Sequence, residues 1–368
     1  MTLSRKNKRK YMYIVDQHDA ESFVITTDQT TLQTVGITLV FLSGVFMVDW
    51  GDGSAAEHFT SGIEKTKNYA STGTYEIKIS GCLTKITQFI ADNSRITSIT
   101  GLKTGLLTLF RLENNLYSGN LDLSSAPVSN FVYLFGNSSM SGVTFASSGN
   151  GVVERMWIDQ CGFTSLDFSN ITIIGSLRGY SNTSLSSVTI SAASNVFSSV
   201  DFNNCNLSSL DFINSTVNGT LDISSNPNFS SLIIGSGTIS TLYLDNCNLS
   251  SLDISNLTLS GFVYLFNNSL LSSLILPASS ASLTRFWVHG CSLTNIDFSI
   301  FSTSNGVNIR LENNSMSSTE VDDQLINLDN VGWINGIVNI SGNNAARTVA
   351  SDTAYNNLVA NGWTITVN

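Results

Sequence analysis

The sequence predicts an all-β-dominated fold: an N-terminal β-sandwich, a long solenoid of 22-residue coils stacked as a parallel sheet, and a small α+β C-terminal cap. Three observations predict it. Apolar anchors at Ile99, Leu121, Val143, Leu166, Val188, Leu210, Leu232, Leu252, Leu274 and Ile296 follow at intervals of 22, 22, 23, 22, 22, 22, 20, 22 and 22 residues. Cys161, Cys205, Cys247 and Cys291 recur every 42 to 44 residues, with asparagines in the coils between. Ahead of each Asn or Cys, an apolar-x-apolar pair such as Val132/Leu134, Met156/Ile158 or Leu221/Ile223 stands five and three positions earlier.

Composition narrows the class. Of 368 residues only 12% are charged, against roughly 25% in an average soluble protein, and 42% are apolar. A disordered tail needs the opposite balance. No run approaches the roughly 18 apolar residues of a membrane helix, so membrane insertion is not expected. The net charge of −10 argues against nucleic acid as a partner.

Residues 1–19 form a basic arm. Arg5, Lys6, Lys8, Arg9 and Lys10 hold five of the 17 basic residues; such an arm contacts an acidic partner or frays as a solvated terminus. The apolar stretch Tyr11–Val15 is shorter than the about 7–15 residues of a secretion signal. The chain is therefore expected to stay in the compartment that makes it, unless a dedicated apparatus exports it or it leaves inside a particle.

Residues 20–81 read as β-strands at Ser22–Thr26, Gly36–Phe41, Phe46–Trp50 and Thr74–Ser80. Asp52-Gly53 supplies hairpin-turn chemistry. The motifs Trp50-Gly51-Asp52-Gly53 and Tyr69-x-x-x-Gly73-x-Tyr75-x-Ile77 resemble those of the polycystic-kidney-disease (PKD) type of immunoglobulin-like sandwich. The resemblance implies Trp50 and Tyr75 as core aromatics, and Lys67 or Asn68 replaces the usual His. Asp49 and Asp52 alone make a poor calcium cage.

Residues 82–318 carry the repeat. Each coil contributes a short strand stacking at about 4.8 Å per rung, with the apolar pair facing inward. Asn93, Asn115, Asn137, Asn182, Asn226 and Asn268 fill the turn slot after the strand in some coils, where an amide satisfies orphaned backbone groups. The four cysteines fill it in the others. Cysteines two rungs apart are separated by about 9.6 Å, beyond the roughly 7 Å reach of a disulfide. No C-x-x-C or clustered His accompanies them, so they read as buried structural thiols with no metal and no cofactor. The backs of the coils, as in Leu166-Asp-Phe168 and Ile171-Thr-Ile173, are too short and β-branched for helices. The combined L-x-L-x-x-N/C-x-L pattern resembles leucine-rich repeats, specifically the Ser/Asn-rich kind of Bacteroidetes surfaces and phages. Residues 319–368 then read as the cap, with helices at Glu320–Leu328 and Thr353–Ala360 and a strand at Gly362–Val367.

The exposed strand positions lie four and two residues before each Asn or Cys. They include Arg111, Glu113, Tyr133, Phe135, Trp157, Asp159, Arg178, Tyr180, Tyr243, Asp245, Tyr264, Phe266, Trp287, His289 and Arg310. Rings interleaved with Arg and Asp read as a binding face; the competing reading is an aromatic ladder for sheet stability. Phe131-Val-Tyr-Leu-Phe135 recurs as Phe262-Val-Tyr-Leu-Phe266, giving two equivalent subsites or a duplication without functional meaning. Glu113 and Asp159 have no nucleophile–base constellation, so an enzyme is not expected. With the family resemblance, the expectation is a virion appendage or decoration protein that binds host surface glycan or protein. Its N-terminal region would meet other virion proteins, and a homo-oligomer is compatible. The alternative is a secreted or surface-anchored bacterial adhesin.

Overall fold

The computed structural model describes residues 21–192, 194–277, 283–301 and 305–368. The basic arm lies outside the described residues. The chain is 44% strand and 8% helix, built around a β-solenoid of about ten turns.

Six strands precede the first coil: β1 (Glu21–Asp28), β2 (Val35–Phe41), β3 (Met47–Asp49), β4 (Glu57–His58), β5 (Lys65–Lys67) and β6 (Thr74–Gly81). Alternate residues of β1 and β2 are buried, as the period of two requires. The first coil adds β7 (Ile86–Ile90) and β8 (Ile96–Thr100). One sheet runs β4-β3-β6-β1-β8, and the other begins β5-β2-β7. Ile25 pairs with Ile99 and Leu39 with Phe89, both antiparallel, so each sheet of the N-terminal unit passes directly into the solenoid.

Trp50 is fully buried, its indole N–H donating to Glu57 Oε1 at 3.0 Å. Tyr69 is buried as well, its hydroxyl donating to the Trp50 carbonyl at 2.9 Å, with Phe23, Phe46 and Phe59 in the same core. Tyr75 is only half-buried and stacks on Tyr69 at 3.8 Å. Gly51 has φ 72 and lies against the Glu76 carbonyl, where a Cβ would collide. The carboxylates are taken up locally: Asp49 accepts from the Gly51 N–H at 3.0 Å. Lys67, 2.5 Å from Asp52, and the Ser54 hydroxyl hold the Asp52 carboxyl down at about 2.

From β7 onward the long sheet is parallel. Its successive front strands include Leu107–Arg111, Val128–Tyr133, Val152–Trp157, Thr172–Arg178, Val196–Asp201, Leu257–Tyr264, Leu283–Trp287 and Asn308–Arg310. The inward pairs are buried throughout, and a continuous apolar core runs from Phe23 to Trp363. The 22-residue anchors stack on the opposite side, Leu121 on Val143, Leu166 on Val188, Leu210 on Leu232 and Leu252 on Leu274. That side is extended, as the sequence predicts.

The turn slot shows why Asn stands there. Asn226 donates to the Phe202 carbonyl at 2.9 Å and the Ile223 carbonyl at 2.8 Å, while its Oδ1 accepts from the Leu207 N–H at 2.9 Å. One buried side chain thus stitches adjacent coils. Asn115, Asn137, Asn182 and Asn268 are buried in equivalent networks. In the Cys coils the thiol does less: Cys205 Sγ reaches the Gly179 carbonyl at 3.3 Å. Burial pushes the Cys161, Cys205 and Cys247 thiols up to about 12 and Cys291 to about 11. All four are free. Asn93 is a correction: it is exposed with φ 50, and the buried slot belongs to Ser94, whose N–H meets Asn115 Oδ1 at 2.9 Å.

At the far end, α1 (Ser318–Asn330) begins at a capping box between Ser317 and Glu320, and α2 (Asp352–Ala360) follows. Two further rungs, Ile337–Asn339 and Thr364–Thr366, continue the parallel sheet. Asn314 and Asn344 continue the buried amide ladder. Trp333 and Trp363 close the core, the Trp363 indole N–H donating to the Trp333 carbonyl at 2.9 Å.

Candidate binding face

Register pairing places the predicted face residues in columns. The middle row runs Arg111, Tyr133, Trp157, Arg178, Asp201, Asp222, Tyr243, Tyr264, Trp287 and Arg310, each paired with the next. Two residues further along each strand, backbone hydrogen bonds link Glu113, Phe135, Asp159, Tyr180, Asn203, Ser224, Asp245, Phe266, His289 and Glu312 into an inner row. The rings therefore share one ribbon on the solvent side of the parallel sheet.

Sequence reasoning missed a third, outer row. Two residues before the middle row stand Leu109, Phe131, Arg155, Ser176, Ser199, Thr220, Thr241, Phe262, Arg285 and Asn308, again in register. Counting six residues back from each Asn or Cys would have found it.

Two clusters stand six rungs apart. In the first, Tyr133 packs on Trp157 at 4.9 Å, and the Arg178 guanidinium lies 4.4 Å from the Trp157 ring. Arg155 lies 5.5 Å from the Phe131 ring and 6.0 Å from Trp157. In the second, Tyr264 packs on Tyr243 at 4.9 Å and on Trp287 at 5.0 Å. Arg285 lies 5.3 Å from Phe262 and 5.6 Å from Trp287, with Arg310 5.2 Å from Trp287. His289 stacks on Phe266 at 4.7 Å. Such stacking fixes a guanidinium plane and leaves its N–H edge for a further partner.

Exposure departs from expectation at three of the predicted positions, Tyr264, Asp159 and Asp245, and Glu312 of the inner row joins them: all four are buried. They stand on the outward rows, and Tyr264 is covered by its neighbours there: Tyr243, Phe262, Phe266 and Trp287 surround its ring. The remaining predicted face residues are half-buried.

Most of the charge is internally paired. Arg111 meets Asp92 at 2.7 Å and Glu113 at 3.1 Å, Arg178 meets Asp159 at 3.1 Å, and Arg310 pairs with Glu312. Burial raises the Asp159 carboxyl above the usual range against the opposing pull of Arg178. Burial lifts the Asp245 carboxyl to about 6, and the Asp222 charge adds to the rise. Burial and the Arg310 charge push His289 below the ordinary imidazole value. Among the described residues, Arg155 and Arg285 make no ion pair.

Comparison with protein-family models, with curated proteins and with solved structures returns no match to this chain.

Proposed function

We propose that the chain is a non-enzymatic display and binding protein whose strand face recognises host surface glycan or protein. One observation carries this reading. Every basic residue between Lys103 and Arg347 stands on that face: Arg111, Arg155, Arg178, Arg285 and Arg310. Each lies over an aromatic ring. A ladder serving only sheet stability has no need to gather every guanidinium group between Lys103 and Arg347 on one side. Binding surfaces, by contrast, are enriched in Trp, Tyr and Arg.

We read the coils as leucine-rich repeats and the N-terminal unit as immunoglobulin-like of the PKD type. The motif residues support this: the L-x-L pair points inward, Asn or Cys fills the turn, and Trp50 and Tyr69 are buried. That combination supports a virion appendage or decoration protein, with the N-terminal region toward other virion proteins. A bacterial surface adhesin uses the same face. Mass spectrometry of purified particles finding the chain supports the first setting, and recovery only from outer-membrane fractions supports the second.

The binding reading is tested by replacing Trp157 and Trp287 together with Ala. Attachment of the purified chain to intact host cells is expected to fall to background, with a cooperative unfolding transition retained. Attachment unchanged in a folded double variant sinks the reading.

A further inference from the structure

We propose that the outer row is a track for an acidic polysaccharide, gripped at two points by Arg155 and Arg285. The proposal rests on the reading that the strand face binds, and it names the ligand class.

The track is defined by charge. Arg155 and Arg285 are exposed, and they are the two arginines of the face without an internal carboxylate partner among the described residues. Each is held between a Phe of the preceding rung and a Trp of its own strand. Both guanidinium groups are thus oriented in the free protein, which lowers the entropy cost of capturing an anion. Between them the row carries Ser176, Ser199, Thr220 and Thr241, then Phe262. Those hydroxyls are half-buried and aligned, Ser199 donating to Ser176 at 3.0 Å. They both donate and accept, as sugar hydroxyls require.

The acids of the face stand on the other two rows, at Asp201 and Asp222 beside the track and at Asp159 and Asp245 beyond them. They confine an anionic chain to the outer row. Ring faces favour the same ligand: Trp157 is covered by Arg178, and Trp287 by Arg310 and Tyr264. Little face area is left for stacking a neutral sugar, while the Arg155 edge stays open and Arg285, which spends one N–H on the Tyr264 hydroxyl, keeps its others for carboxylate or sulfate.

Geometry adds a length requirement. Six rungs at about 4.8 Å separate the two arginines by about 29 Å. A chain long enough to reach both gains effective concentration at the second contact, and a shorter fragment does not. The polymer should bind about 100-fold more tightly than a fragment too short to span.

The experiment measures binding of the full chain to polygalacturonate, dextran sulfate and neutral dextran, each as polymer and as short fragments. Arg155→Gln and Arg285→Gln are compared with the parent, and thermal unfolding checks the fold. The carboxylated or the sulfated polymer is expected to bind, and which one identifies the anion. Either substitution should abolish the preference for polymer over fragment, and the two losses should be alike. Binding of the acidic polymers no better than dextran overturns the proposal. So does acidic-polymer binding indifferent to both substitutions. If host attachment depends on Trp157 and Trp287 but not on the two arginines, the track fails while the binding face stands; attachment independent of all four fails both.

Discussion

The clusters around Trp157 and Trp287 share a backbone register and most side chains, yet they are finished differently. Around Trp287 the polar edges are closed: the indole N–H donates to Asn308 Oδ1 at 3.1 Å, and Arg285 donates to the Tyr264 hydroxyl at 3.1 Å. Around Trp157 the equivalent of Asn308 is Ser176, too short to reach, and the indole N–H finds no partner among the described residues. Asp159 stands where the second cluster has His289, and Tyr180 where it has Glu312. The scaffold is common to both clusters, and single side chains set how tightly each is sealed.

The largest test of that contrast is truncation of the central tyrosine. Tyr264→Ala removes a buried ring touching four others and should cost about 3–5 kcal/mol. Tyr133→Ala removes a half-buried ring and should cost about 1–2 kcal/mol. Equal losses in denaturant titration would show that the two copies are packed alike.

Next in size is a pH effect confined to the Tyr243 rung at the edge of the second cluster. The folded chain holds the Asp245 proton more tightly than the unfolded chain, since burial lifts the group from 3.8 to about 6. Its contribution therefore favours folding in acid and is lost as pH climbs through that window. Asp245→Asn should stabilise by about 2 kcal/mol at pH 7 and by little below pH 4. A gain independent of pH points to packing instead of charge.

The smallest effect separates the two indoles. Trp287→Phe breaks a hydrogen bond and leaves Asn308 unmatched, whereas Trp157→Phe removes an N–H that has no partner among the described residues. The first should lie about 1 kcal/mol below the second in stability, read from paired thermal melts. A reversed order would mean that water or a side-chain rotation completes the Trp157 site.

What the sequence made legible was whatever repeats at fixed spacing. The 22-residue period exposes the inward pairs, and counting from Asn or Cys places Trp157, Tyr243 and Arg310 on one face. Asn93 misleads because Ser94, also small and polar, occupies the buried slot beside it. The row of Phe131 and Arg155 was overlooked because the apolar pair marks only the last three strand positions, and the irregular register before it hides the alternation. The strand read at Gly362–Val367 is present at Thr364–Thr366, but neither its place as a further rung nor the rung at Ile337–Asn339 was legible, because helix-bearing coils are longer and break the period. Burial of Tyr264 depends on which rings the adjacent rungs bring, a tertiary fact with no spacing of its own.

The junction at Ile25–Ile99 and Leu39–Phe89 has a mechanical consequence. With hydrogen-bonded strands crossing on both sides, there is no swivel between the N-terminal unit and the coils. Whatever holds the first strands also sets the aim of the outer row, so a pull on a polymer bound as proposed would be transmitted as torque into the N-terminal sheets.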